Sequence, residues 1–156
     1  MTTCERRIFN ALAFIVSITG FAYLVMKYAM ETDDPFALVN HPFQPYALDL
    51  HLLAAPFLLF VSGMLVRGHI RPKLKQANRG NRKSGLITLW MIAAMSVSGY
   101  LLQVVTNETL YQVSLALHLV SGTLFAAFFL GHVIRSIRLR RTGKAGLREV
   151  EKKLAA

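Results

Sequence analysis

Four histidines stand in two apolar stretches, His51 and His69 in one, His118 and His132 in the other. An imidazole that lipid should surround is costly to place and is a functional residue by default. Read as helix, the interval from His51 to His69 makes about five whole turns and rises roughly 27 Å, and the interval from His118 to His132 falls within roughly 40° of four turns and rises roughly 21 Å. Each pair therefore shares one helix face and is split between the two sides of a hydrocarbon core about 30 Å thick. Neutral imidazole is a metal ligand, and a lipid-buried setting keeps it neutral. Two helices that each offer an upper and a lower histidine can clamp two haems, His51 with His118 on one iron and His69 with His132 on the other. Irons closed by two histidines suit electron transfer and not substrate chemistry, so no catalytic side chain is assigned. The residues alone also admit one haem with two spectator histidines, another metal such as Zn²⁺, or histidines that only pack between helices.

The elements that must position these residues are membrane spans. The chain of 156 residues is 54% hydrophobic with a mean hydropathy of +0.42, which sets it apart from ordinary soluble domains. Its net charge of +10 is carried by lysines and arginines beside apolar stretches, not along one soluble face, so nucleic acid is not the expected partner and membrane lipid is. The pattern predicts an all-α, integral membrane four-helix bundle in a single domain, with spans at about 8–29, 46–69, 85–105 and 109–137 and a basic tail over 138–156. The first stretch follows Arg6 and Arg7, lacks a small-residue cleavage site and reads as a retained span. Cys4 has no internal partner for a disulfide. In the tail, Leu147, Val150 and Leu154 predict a short amphipathic helix on anionic lipid or, equally, a frayed solvated end.

Lysine and arginine placement sets the orientation. All of them except Lys27 fall in the N-terminus, the second loop and the tail, whereas Glu31, Asp33, Asp34, Asp49 and Glu108 lie on the opposite side. Both termini are therefore expected to be cytoplasmic. Spans two and four then run parallel, which levels His51 with His118 and His69 with His132. The two separations differ by about one helical turn; tilt of span two, a bend at Pro56, or a His69 lying past the helix end can absorb it.

Around the irons, Gly63, Gly68, Gly122 and Gly131 would make room for a flat macrocycle, and Phe125, Phe128 and Phe129 could wall it. Inner propionates would meet Arg67, Arg71 and Arg135; outer ones would meet Lys27, with Tyr46, Tyr111 and Gln112 as hydrogen-bond donors. His41, Tyr46 and Asp49 form a candidate quinone headgroup site. Met91 and Met95 read as core residues.

The runs Leu50-His51-Leu52-Leu53-Ala54-Ala55-Pro56 through Arg67-Gly68-His69, and Leu117-His118-Leu119-Val120-Ser121-Gly122 through Gly131-His132-Val133-Ile134-Arg135, resemble the small bacterial four-helix b-type cytochromes. These include cytochrome b561-like proteins and the haem b membrane subunits of respiratory oxidoreductases. In taking all four ligands from two spans, the chain looks like a reduced form of the cytochrome b of quinol-oxidising bc complexes. The resemblance implies two haem b groups and electron exchange between quinol or quinone and a periplasmic redox protein or oxidoreductase subunits. Loops too short for a second catalytic domain favour a subunit or shuttle over a stand-alone enzyme. The contrasting reading is a haem-free integral protein, a metal transporter or assembly subunit, whose histidines bind Zn²⁺ or pack; no carboxylate or cysteine joins them within the spans.

Overall fold

The computed structural model describes residues 3–34, 36–66 and 82–154. All regular structure among them is helical: α1 (Thr3–Tyr28), α2 (Gln44–Leu65), α3 (Arg82–Val104) and α4 (Glu108–Leu154). Among the described residues, three helices are long and apolar enough to cross a membrane, namely Thr3–Tyr28, Gln44–Leu65 and the Glu108–Arg135 part of α4. In α3 the described apolar stretch is Leu89–Val104, and the helix sequence is uncharged from Ser84 onward. Large apolar side chains point outward along every helix, among them Phe57, Phe60, Trp90, Val97 and Phe128. A soluble protein would bury them; in a bilayer the acyl chains cover them.

The helices pair as two hairpins, α1 with α2 and α3 with α4, and α1 also touches α4. Residues 29–43 join the first hairpin and residues 105–107 the second. The longer loop is pinned by side chains. Asn40 Nδ2 donates to the Lys27 carbonyl at 2.9 Å, the Asn40 N–H donates to Gln44 Oε1 at 3.2 Å, and Asp34 Oδ1 accepts from the Phe36 N–H at 2.9 Å. Pro45 in the first turn of α2 needs no helical donor and so suits that position. The α3–α4 connection closes on Asn107, whose Oδ1 accepts from the Leu110 N–H at 3.0 Å and so caps α4.

The core is small and lies between the hairpins: Ala13, Leu58 and Phe125 are buried, with Phe9, Leu12, Val16, Met91, Ile92, Met95 and Phe129 packed against them. Phe125 and Phe129 stack at 6.0 Å, and Phe129 meets Phe14 edge-on at 5.1 Å. Hydroxyls inside the helices bond their own backbone: Ser62 to the Leu58 carbonyl, Ser96 to Ile92 and Ser121 to Leu117, each within 2.7 Å. No buried polar side-chain atom among the described residues lacks a partner, as a medium without water demands.

One expectation changes. Beyond Arg138 the tail is not a separate surface helix but the continuation of α4, which runs unbroken for 47 residues. Leucine, lysine, arginine, alanine and glutamate there are helix formers, and Gly143 and Gly146 each cost only about 1 kcal/mol. Pro56 lies within a continuous α2, with its ring on the exposed side.

Candidate metal-ligand site

His51 on α2 and His118 on α4 meet between the hairpins, with ring centroids 6.2 Å apart and planes at 84°. Both side chains are partly buried. Each is held by the other helix of its own hairpin. His51 Nδ1 lies 3.0 Å from the Val16 carbonyl and 3.3 Å from Thr19 Oγ1 on α1. His118 Nδ1 lies 3.1 Å from the Met95 carbonyl and 3.3 Å from Ser98 Oγ on α3. A carbonyl can only accept, so in both rings Nδ1 carries the proton and donates it. The neutral ring then keeps its lone pair on Nε2, the arrangement a metal-ligating histidine needs.

The spacing of the rings suits one shared metal. With metal–nitrogen bonds of about 2.0–2.1 Å and a ring centre about 1.1 Å behind its nitrogen, two imidazoles on opposite sides of one ion have centroids roughly 6.3 Å apart. Zinc would want four protein or water ligands, three of them from protein at least. Among the described residues, no group of three or more His, Cys, Asp or Glu side chains is placed to hold a metal ion. Two imidazoles alone would suit a metal that brings its other ligands with it, as haem iron would.

Above this pair, on the side of the long loop, Lys27 Nζ lies over the rings of Tyr23 and Tyr28 at 5.6 and 5.5 Å, and Tyr111 of α4 is close enough to interact with it electrostatically. Lys27 stands two helical turns beyond Gly20, and Tyr111 two turns before His118, so both sit about 10 Å from the level of the rings. Gln112 is engaged elsewhere, its Nε2 donating to Glu108 Oε1 at 2.7 Å. The ring of Phe43 lies between those of His41 and Tyr46, at 5.6 and 6.3 Å, and His41 Nδ1 accepts from the Phe43 N–H; Asp49 is exposed one turn on from Tyr46.

At the other level, His132 and Arg135 are exposed on α4. His69, with Arg67, Gly68 and Arg71, lies outside the described residues. Of the glycines expected to make room, Gly63 and Gly131 face open space and Gly122 faces the Met95 sulfur. Those that do touch an imidazole are Gly20 and Gly99: a Cβ on either would lie 3.0 Å from Cε1 of His51 or His118. Both lie on the helices that bear no histidine, far in sequence from the rings they touch. A signal for them exists. Val16-Ser17-Ile18-Thr19-Gly20 and Met95-Ser96-Val97-Ser98-Gly99 share one pattern of apolar residue, serine, β-branched residue, hydroxyl and glycine.

An apolar cleft of about 330 Å³ opens between the hairpins, lined by Phe14, Ser17, Ile18 and Phe21 of α1 and Ala126, Phe129 and Leu130 of α4. Comparison with protein-family models, with curated proteins and with solved structures finds no match to this chain.

Proposed function

We propose that the protein is a multi-pass membrane cytochrome of the b type that carries electrons across a bacterial inner membrane, with His51 and His118 as the axial pair of an outer haem. One observation carries the reading: two imidazoles 6.2 Å apart, each with Nδ1 committed to a backbone carbonyl and each left with Nε2 for a metal. Haem b, when bound, supplies one-electron redox chemistry, and two histidines leave its iron no position for substrate. The chain's own residues do the rest. The carbonyls of Val16 and Met95 hold the tautomer, the apolar helices exclude water, and Lys27 with Tyr111 stands at the height where outer propionates need a cation and a donor. His69 and His132 are proposed as the ligands of an inner haem, with Arg67, Arg71 and Arg135 toward its propionates.

Four spans with both termini inside follow from the loop charges and from the uncharged sequence of α3 between Ser84 and Val104. Membrane quinol or quinone is the proposed exchange partner near His41, Tyr46 and Asp49. On the outer side Glu31, Asp33, Asp34, Asp49 and Glu108 form an acidic rim suited to steering a basic periplasmic redox protein. Zinc binding by the same pair is the weaker alternative, for want of further ligands among the described residues.

The decisive experiment is an optical spectrum of purified protein expressed with adequate haem, together with the haem-to-protein ratio. A reduced-minus-oxidised low-spin haem spectrum is expected. Its absence would sink the proposal and promote the haem-free reading. A second arm follows exchange with a basic redox protein in Asp33→Asn and Asp34→Asn chains: slowing at low salt and little change at high salt is expected, and rates equal to wild type at every ionic strength remove the docking claim alone.

A further inference from the structure

We infer that the chain is two copies of one histidine-presenting hairpin, and that Thr19 with Gly20 and Ser98 with Gly99 are the positioning residues of the two imidazoles. The inference rests on the haem reading above and assigns a role to residues that reading does not use.

The duplication is visible in register and in contacts. Leu12, Ala13, Val16, Thr19 and Gly20 of α1 correspond at one constant offset to Met91, Ile92, Met95, Ser98 and Gly99 of α3. His51, Ala54 and Leu58 of α2 correspond at a second constant offset to His118, Ser121 and Phe125 of α4. The offsets differ because the loops that join the helices of each hairpin differ in length. The contacts then repeat atom for atom. Nδ1 to carbonyl is 3.0 and 3.1 Å, Nδ1 to hydroxyl is 3.3 Å in both, and the glycine Cβ position to Cε1 is 3.0 Å in both.

Each part has a physical task. Thr19 Oγ1 donates its single proton to the Ile15 carbonyl at 2.8 Å, and Ser98 Oγ donates to Ala94 at 2.6 Å. The hydroxyl oxygen is thereby turned into an acceptor toward the ring, and the Nδ1–H is shared between carbonyl and hydroxyl. Two acceptors on one N–H fix the ring's rotation and make the imidazole a stronger donor to ferric iron. The glycine lets the ring lie against the backbone of the neighbouring helix. A methyl group at 3.0 Å from Cε1 is tighter than nine in ten real contacts, so with alanine the ring must give by a few tenths of an ångström.

The test uses the full-length haem-loaded protein and two readouts other than activity: the reduction potential of each haem and the ferric low-spin EPR spectrum. Thr19→Val and Ser98→Ala keep the approximate shape and remove the acceptor. Each should raise the outer haem's potential, because a poorer donor stabilises ferric iron less, and the double variant should weaken haem binding roughly 10–100-fold. Thr19→Ser and Ser98→Thr should restore the wild-type potential. Imidazole planes near perpendicular give a strongly anisotropic ferric signal, so Gly20→Ala or Gly99→Ala should change it. Haem-loaded Thr19→Val, Ser98→Ala, Gly20→Ala and Gly99→Ala chains that titrate and resonate as wild type would overturn the positioning role and leave the haem reading in place. Wild-type protein without haem would overturn both.

Discussion

At His51 and His118 the controlling partner of the ring is a carbonyl and not a charge. A carboxylate beside Nδ1 would add a buried charge to the low-dielectric span, at a cost of several kcal/mol unless paired. A backbone carbonyl of a neighbouring helix has a second lone pair to give, so the ring is oriented without importing an ion. The prediction at this scale concerns equivalence. If both rings serve one iron, His51→Ala and His118→Ala should remove the same low-spin centre and leave the same residual spectrum, while His132→Ala should spare that centre. Reduced-minus-oxidised spectra of the three variants check it; different residual spectra for His51→Ala and His118→Ala would separate the two rings.

At the scale of elements, α1 and α3 supply no ligand and yet decide where the ligands go. Hydroxyls at Thr19 and Ser98 and small residues beside them let α1 approach α2, and α3 approach α4, closely enough for carbonyl-to-ring bonds. The long α4 divides into two jobs. Its first part bears Ser114, His118, Ser121 and Phe125 along one buried or partly buried stripe, and the part beyond Arg138 carries the basic tail. Helical rise puts Arg138 about 30 Å beyond His118, too far for the tail to touch the outer pair. Truncation after Arg138 should therefore leave the outer haem's loading and potential unchanged, measured by haem-to-protein ratio and redox titration. A loss of that centre would make the tail part of the site.

For the whole molecule, parallel α2 and α4 are a consequence of two similar hairpins laid side by side, since each pair is joined through a loop on the same side. That arrangement brings the histidines level, and it requires the long loop and the Asn107 connection to share one side of the membrane. Reporter fusions after Asp34 and after Gly80 should consequently report opposite sides, the first outside. The same side for both would refute the four-span topology.

Helix and membrane class were legible in the chain because apolar length and charge placement are local properties, readable without knowing what packs on what. So was the candidacy of His51 and His118, since period and rise are fixed by helix geometry. Tertiary structure alone decided which glycines touch the imidazoles. Gly63 and Gly131 share a helix with a histidine but face open space, while Gly20 and Gly99, remote in sequence, lie against the rings. It also decided the tautomer, because the acceptors that hold Nδ1 are backbone atoms of Val16 and Met95, and a carbonyl is present at every residue whatever its type. Side-chain identity shows which groups are available; which carbonyl an imidazole meets depends on how two helices cross, and that is settled only when the hairpins pack.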